Sequence, residues 1–108
     1  MIDFRTVEFV VRLSADCRRR HRHSRIKNKI VSFSVQLEIY LQDKWWPVVR
    51  YDTAHGFAHR DFIHADGRIE KTPLFLHDYN EALIFSEEDL KNNWEMYRER
   101  FLKEAEHV

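Results

Sequence analysis

The clearest alternation of hydrophobic and polar residues lies in residues 29–41, KIVSFSVQLEIYL. Apolar side chains occupy every second position from Val31 to Leu41, and Ser, Gln, Glu or Tyr occupies each position between them. Successive side chains of a strand point to opposite faces of its sheet. This period of two therefore predicts a β-strand that buries one face.

Two neighbouring segments predict further strands by the same period. Residues 45–52, WWPVVRYD, follow a tight turn predicted at residues 42–44. Pro47 indicates a sheet edge or a bulge there, because proline has no N–H to donate to a ladder. Residues 4–13, FRTVEFVVRL, predict a half-buried strand. Its apolar face would consist of Val7, Phe9, Val11 and Leu13.

A hairpin is predicted around Asp66 and Gly67, a pair of residues typical of type I′ turns. Residues 57–64, FAHRDFIH, would form its first strand, and residues 68–74, RIEKTPL, its second. The second strand is short, charged and contains Pro73, as is typical of the edge of a sheet.

From Asp78 onwards the hydrophobic period becomes helical. Asp78 and Glu81 are spaced like a capping box and predict a short helix that ends at Phe85. Ser86 and Asp89 predict a second helix N-terminus. Core-facing residues then recur at helical spacing: Leu90, Trp94, Tyr97 and Phe101.

These elements predict an α+β fold, namely an antiparallel meander of about five strands with a C-terminal helical part (residues 78–105) packed on one face. The length of 108 residues and the 44% hydrophobic content predict a single domain over residues 1–108.

One cysteine and an N-terminus without a signal pattern predict a cytoplasmic location. The apolar runs are far shorter than the ~20 residues of a membrane span, and no cofactor is predicted.

Charge is distributed unevenly along a chain whose formal net charge is zero. Residues 1–61 carry 12 Lys and Arg against 7 Asp and Glu, and residues 62–108 carry 6 against 11. Residues 14–28 lack hydrophobic periodicity and predict a basic loop. A loop of this kind could neutralise phosphates, with RNA favoured over DNA because no predicted helix is basic, or could simply be solvated. The predicted nucleic-acid-binding residues are Arg18, Arg19, Arg20, Arg22, Arg25, Lys27 and Lys29.

Acid–base residues are concentrated in residues 50–61, RYDTAHGFAHRD. If the strands on either side of the loop pair as a hairpin, cross-strand neighbours come within about 4.5–5.5 Å at Cβ. A metal-independent ribonuclease needs a base, an acid and a cation on the phosphate. His55 and His59 would be the acid and base, Asp52 or Asp61 would orient them, and Arg50 and Arg60 would hold the phosphate.

Two other interpretations of the same segment stay open. Imidazole and carboxylate are zinc ligands, but strand alternation separates His59 from His64, and the arginines disfavour a cation, so no metal is predicted. The charged residues could instead form cross-strand ion pairs of purely structural importance.

Residues 45–74, followed by EDLKNNWEMYRERFL, resemble a family of small prokaryotic proteins with an R-Y-D-x-A-H core, a second H-R pair, a D-G hairpin and a closing helix. The core is also similar to that of the TumE-type toxins of toxin–antitoxin pairs. The shared residues are Arg50, Tyr51, Asp52, Ala54, His55 and His59. The resemblance implies a nucleic-acid-directed protein encoded with a partner.

The leading hypothesis is a small RNA-binding protein, in its enzymatic form a toxin-like, metal-independent endoribonuclease, with RNA and an antitoxin-like protein as partners. The alternative is a non-catalytic protein-interaction module. A homo-oligomer such as a homodimer, assembled through the predicted edge strand at residues 68–74, is a third possibility.

Overall fold

The strands follow one another across the sheet in the order in which they occur in the chain. The computed structural model describes residues 3–108. Its elements are strands β1 (Phe4–Ser14), β2 (Cys17–Ile26), β3 (Lys29–Leu41), β4 (Lys44–Asp52), β5 (His59–Ile63) and β6 (Ile69–Pro73), and the helix α1 (Tyr79–Ala105). The predicted α+β meander with a C-terminal helix is confirmed, with six antiparallel strands where about five were expected.

The sixth strand lies where a basic loop was predicted. Residues 14–28 contain all of β2, which pairs with β1 on one side and β3 on the other. The loop prediction was wrong because two apolar strands provide hydrogen-bonding partners for β2 whatever its own composition. Side chains such as Arg20 alternate with buried ones such as His21 and Cys17, so the arginines do not interrupt the ladder.

Turn geometry fixes the hairpin between β3 and β4. Gln42 and Asp43 both have positive φ, 54° and 65°, as a type I′ turn between β3 and β4 requires. Opposite Leu37 and Glu38 the register of β4 shifts by one residue, so Pro47 occupies a bulge and not an edge.

The predicted Asp66–Gly67 hairpin is confirmed, but its turn is not of type I′. Gly67 has a φ of 90°, while Asp66 keeps a negative φ. The Gly67 N–H donates to the His64 carbonyl at 2.9 Å, and the His64 N–H donates to the Arg68 carbonyl at 2.8 Å. This is the three-residue hairpin in which a type I turn is followed by a left-handed glycine.

One continuous helix replaces the two predicted helical segments. Asp78 caps it by accepting a hydrogen bond from the Glu81 N–H at 2.9 Å. Ser86 is buried inside the helix, and its hydroxyl donates to the Ala82 carbonyl at 2.7 Å, so it does not begin a second helix. Within residues 3–108, no helix combines the length and the hydropathy that a membrane crossing needs.

The sheet has two chemically different faces, because residues opposite one another in antiparallel strands share a face. The helix face packs against α1 and supplies the core: Phe33, Val35, Leu37, Ile39, Val49 and Tyr51. From α1 the predicted stripe contributes buried Leu90, Tyr97 and Phe101, with Trp94 packed against them. We call the other side the open face. It carries Arg18, Arg20, Arg22, Gln36, Glu38, Arg50, Asp52, His59, Asp61 and Lys71.

α1 covers only part of β1. Val11 and Leu13 are half-buried and line a cleft with Leu90 and Trp94, but Phe9 on the same face is 41% exposed. The predicted half-buried face of β1 is therefore confirmed only at its C-terminal end. The exposed apolar positions toward the N-terminus lie beyond the reach of the helix.

Candidate functional site

Four of the six predicted catalytic residues meet on the open face. The register of β4 and β5 places Arg50 opposite Asp61 and Asp52 opposite His59. His59 Nε2 lies 2.7 Å from Asp52 Oδ1 and 3.8 Å from Asp61 Oδ2, and Arg50 Nη1 lies 4.0 Å from Asp61 Oδ2. The hairpin proposed from the sequence thus brings these side chains together.

His59 is enclosed within this group. Its side chain is only 1% exposed. Besides the Asp52 contact at Nε2, its Nδ1 lies 3.3 Å from the Phe57 carbonyl oxygen. With both ring nitrogens engaged and almost no exposed surface, His59 is placed to hold Asp52 and the β4–β5 pair in position, and a substrate has little access to it.

His55 is the accessible histidine of the segment. It lies in a short 3₁₀ turn, Ala54–Gly56, and has a φ of 69°, which is uncommon for a residue other than glycine. Its ring centre is 6.4 Å from that of His59, and the two ring planes are tilted by 30°. His55 therefore borders the site without joining its hydrogen-bond network.

Arg60 does not belong to the site, because strand alternation directs it to the helix face. Its Nη1 lies 3.7 Å from Asp89 Oδ2 on α1, and its guanidinium lies 4.5 Å from the ring of Phe62. The predicted phosphate-holding role of Arg60 beside Arg50 is therefore wrong for this arrangement. The side chain joins β5 to the helix.

Asp89 is the acceptor at the centre of that helix-face contact. The hydroxyls of Tyr51 and Tyr97 both donate to it, the second at 2.7 Å. Burial, together with the neighbouring Asp89 carboxylate, raises the pKa of both tyrosines. The tyrosines thus stay neutral donors and satisfy a carboxylate at the helix–sheet interface.

On the open face, hydrogen bonds extend the site across four strands. Arg50 Nε donates to Gln36 Oε1 at 2.7 Å, and the Gln36 amide donates to Glu38. At the other end, Lys71 Nζ lies 2.9 Å from Asp61 Oδ1. We call this row the polar ladder. It consists of Lys71, Asp61, Arg50, Gln36 and Glu38, and its last carboxylate contacts Arg18 and Arg20.

Sequence reasoning missed Gln36, Glu38 and Lys71. The signal was present in β3, where Gln36 and Glu38 occupy the polar positions of the strongest alternation. Lys71 could be found only from the register that pairs it with Asp61, which no local pattern shows.

Glu38 is a buried carboxylate that two arginines share. Arg18 Nε donates to one of its oxygens at 2.7 Å, and Arg20 Nε donates to the other at 3.3 Å. Burial alone would raise the pKa of Glu38, but the hydrogen bonds from Arg18 and Gln36 and the charge of Arg20 lower it overall. Glu38 therefore carries a negative charge that holds both guanidinium groups over the open face.

The seven predicted nucleic-acid-binding residues do not share one surface. Arg18, Arg20 and Arg22 lie on the open face, and Arg22 is 3.2 Å from Glu8. The remaining four are elsewhere: Arg19 on the helix face, Arg25 beside a bulge, Lys27 in the β2–β3 turn and Lys29 at the start of β3.

Aromatic rings lie at one end of the row of arginines. The Arg18 guanidinium is 3.9 Å from the centre of the Trp45 ring, and that of Arg12 is 5.4 Å away. Tyr40, which is 42% exposed, lies opposite Trp45 with 5.3 Å between ring centres. We call Arg12, Arg18, Tyr40 and Trp45 the aromatic–arginine cluster.

The three histidines considered for a metal site do not converge. His64 lies at the far end of β5, where Nδ1 contacts Glu104 at 2.7 Å and Nε2 contacts Glu70 at 2.8 Å. In the described part of the chain, no three His, Cys, Asp or Glu side chains are grouped so that they could share a metal ion.

Comparison with known proteins assigns the chain to a family. No curated protein matches it, and no solved structure matches it. The family described as "Domain of unknown function (DUF7718)" matches residues 4–107, a span that contains all six strands and α1. The chain therefore belongs to the DUF7718 family.

Proposed function

We propose that this protein binds single-stranded RNA on the open face of its sheet. The observation that carries the proposal is the aromatic–arginine cluster beside the arginines of β2. Proteins that bind single strands combine aromatic rings, on which bases stack, with a positively charged path for the backbone. An exposed sheet face with aromatic residues is one common form of this arrangement in RNA-binding domains.

The charge of the open face supports an anionic ligand. Its basic residues are Arg12, Arg18, Arg20, Arg22, Arg50 and Lys71, and its acidic residues are Glu8, Glu38, Asp52 and Asp61, which leaves an excess of two positive charges. The acidic residues are already in contact with basic ones or with His59. Arg20 and Arg22 are about half exposed, so both can reach a phosphate.

Binding can be measured by fluorescence anisotropy with a labelled single-stranded RNA at several salt concentrations. We expect the double variant Arg20→Glu, Arg22→Glu to bind at least tenfold more weakly and to show a shallower salt dependence, since each phosphate contact contributes a slope of about 0.7 for single strands. Arg5→Glu is the matched control, because Arg5 is an exposed arginine on the other side of β1. Equal effects of the two changes would contradict the proposal.

Cleavage of the bound RNA is the enzymatic form of this hypothesis. His55 would act as the acid–base group, since it is exposed, while Arg50 would contact the phosphate and His59 would position Asp52. Binding receives more support than cleavage, because His59 is enclosed and His55 has no orienting carboxylate among its described contacts. The assay is incubation of the purified protein with RNA in EDTA.

A cytoplasmic location and an antitoxin-like protein partner form part of the same proposal. The location is supported by the buried, unpaired Cys17, since reduced cysteines are typical of the cytoplasm. The partner follows from the resemblance of the R-Y-D-x-A-H core to toxin components. Co-purification of the tagged chain from its native host would test for such a partner.

The non-catalytic interaction module remains the alternative, favoured by the exposed apolar residues of β1.

A further inference from the structure

The two edges of the sheet are built very differently. β6 has five residues, all exposed, and includes Lys71 and Pro73, features that prevent an edge from pairing with another strand. β1 has eleven residues and contains neither lysine nor proline. The pairing of β1 with β2 is regular from Phe4 to Arg12 and shifts register between Arg12 and Ser14. The regular stretch is a long edge without these protections, and such an edge is a template for another strand.

Hydrogen bonding determines which groups of β1 face outward. The Lys27 N–H donates to the Asp3 carbonyl at 3.2 Å, so Asp3 directs its backbone toward the β2 side. In an antiparallel ladder, alternate residues point their N–H and C=O groups in opposite directions. The even-numbered residues, from Thr6 to Arg12, therefore direct theirs away from β2, where the described chain supplies no neighbouring strand.

Apolar side chains are exposed along the same strand. Val10 on the open face is 51% exposed, and Val7 and Phe9 on the helix face are 36% and 41% exposed. These side chains flank unpaired backbone groups, so a strand added at this edge would cover both. A strand that binds at this edge must therefore be apolar and must carry charges opposite to those of the β1 residues it faces.

We propose that the occupant is β1 of a second copy of this chain, paired antiparallel about a twofold axis at Val10. Glu8 of each copy then lies opposite Arg12 of the other, so the pairing contains two oppositely charged cross-strand pairs. On the helix face, Phe9 of each copy lies opposite Val11 of the other. The strand is thus complementary to itself in both charge and apolar pattern.

Other symmetric registers match less well. Pairing about Glu8 places two like charges directly opposite each other, which is destabilising. Pairing about Phe9 places Glu8 opposite Val10 and leaves Arg12 opposite Thr6. Only the register about Val10, among these three, gives both Glu8 and Arg12 a partner of opposite sign.

The twofold axis at Val10 is perpendicular to the sheet, so it keeps each face on its own side. Two six-stranded sheets become one continuous twelve-stranded sheet with both helices on the same side. The open faces of the two copies also become continuous. The dimer does not depend on RNA binding, because the strand pairing uses the backbone edge of β1 and is formed by the protein alone.

Charge reversal tests the register. Sedimentation equilibrium of the purified full chain should give twice the chain mass of 13.3 kDa. Glu8→Arg and Arg12→Glu should each raise the dimer dissociation constant by about tenfold or more, because two attractive pairs become two repulsive ones. The double variant Glu8→Arg, Arg12→Glu restores opposite charges in both pairs between the two β1 strands and should dimerise more tightly than either single variant. It need not reach the original affinity, because Arg22 lies 3.2 Å from position 8 and then meets a like charge.

Three results would overturn the proposal. They are an original chain that stays monomeric at its highest soluble concentration, a dimer that neither single reversal weakens, and a double reversal that remains monomeric. A second variant, Val10→Pro, removes an N–H that β2 does not use, so the monomer should fold and the dimer should be lost. Circular dichroism verifies folding, and dimerisation that survives in folded Val10→Pro would equally contradict pairing through this edge.

Discussion

Arg60 and Asp61 are neighbours in the chain, but they serve different faces of the sheet. Arg60 points under α1 and, with two tyrosine hydroxyls, contacts Asp89. Asp61 points to the open face and joins the polar ladder between Arg50 and Lys71. Charged groups under the helix join it to the sheet. On the open face, arginines such as Arg20 and Arg22 remain about half exposed and keep surface that a ligand can reach.

The difference predicts that stability depends more strongly on Asp89, the helix-face carboxylate, than on the charged residues of the open face. Asp89→Asn should lower the free energy of unfolding by about 3 kcal/mol, because it leaves Arg60 and a tyrosine hydroxyl without their charged partner. Urea denaturation measures the change. Glu88→Gln, an exposed position on the same turn of α1, should change stability by less than about 0.5 kcal/mol. Similar losses for both variants would contradict this role of Asp89.

The two histidines of residues 50–61 allow a second test, since His59 is enclosed and His55 is exposed. His59→Ala should cost about 2–3 kcal/mol of stability, because it leaves Asp52 and Asp61 without their buried partner. His55→Ala should cost less than about 0.5 kcal/mol. Thermal unfolding measures both changes.

The same two variants decide the catalytic assignment. If the protein cleaves RNA in EDTA, His55→Ala should abolish cleavage while leaving the fold intact. Cleavage that survives in both variants would eliminate His55 and His59 as acid and base.

Substitutions on the open face should affect RNA binding more than they affect stability. Trp45→Ala should weaken single-stranded RNA binding by about tenfold, since a stacked base contributes about 1–3 kcal/mol. Trp46→Phe is the matched control, because Trp46 lies on the helix face, where its indole N–H donates to the Leu41 carbonyl at 2.8 Å. Fluorescence anisotropy should show no change in affinity for this control. Loss of binding in both variants would indicate a general effect on folding.

The sequence predicts some parts of the structure and not others, and the difference has a physical reason. Period-two alternation in β3 and helical spacing in α1 are local patterns, so the meander and the helix could be predicted. β2 could not, because its strand conformation comes from pairing with β1 and β3 and its own residues show no apolar period. Strand pairing also determines which residues form the site. Only the register shows that Arg60 lies on the helix face, away from the site, and that Lys71 lies beside Asp61.

The burial of individual side chains could not be predicted from the sequence either. His55 and His59 look alike in the segment RYDTAHGFAHRD, and either could have been the accessible one. A positive φ in a short turn exposes the first, and strand pairing encloses the second. Acid–base residues could therefore be located from sequence, while their accessibility, on which catalysis depends, required the structure.

The contact of His64 with Glu104 also joins the sheet to the helix, and it sharpens the comparison because it is titratable and includes the exposed Glu70. Hydrogen bonds to Glu70 and then Glu104 raise the pKa of His64 above its ordinary value, against the smaller opposing effects of burial and Arg68. A raised pKa means that protonated His64 stabilises the fold. Its contribution is complete below the unfolded pKa of about 6.5 and is lost as pH rises through the higher folded value.

The pKa values of both glutamates are lowered overall. Glu70 is lowered first by its hydrogen bond to His64, and in Glu104 the bonds to His64 and Ala65 outweigh burial. Their contribution is present above their unfolded pKa of about 4.3 and is lost as pH falls further. The stability difference between the original chain and His64→Gln should therefore be largest between about pH 4.5 and 6.5 and should shrink toward pH 9.

Urea denaturation of both proteins across this range measures the difference, which should remain smaller than the loss in Asp89→Asn because Glu70 is largely exposed. His77→Gln, at an exposed histidine before α1, is the control for a histidine outside this contact. A difference that grows with pH would mean that neutral His64 is the stabilising form. The contact at this end of the helix would then resemble the uncharged tyrosine donors of Asp89 more than an ion pair.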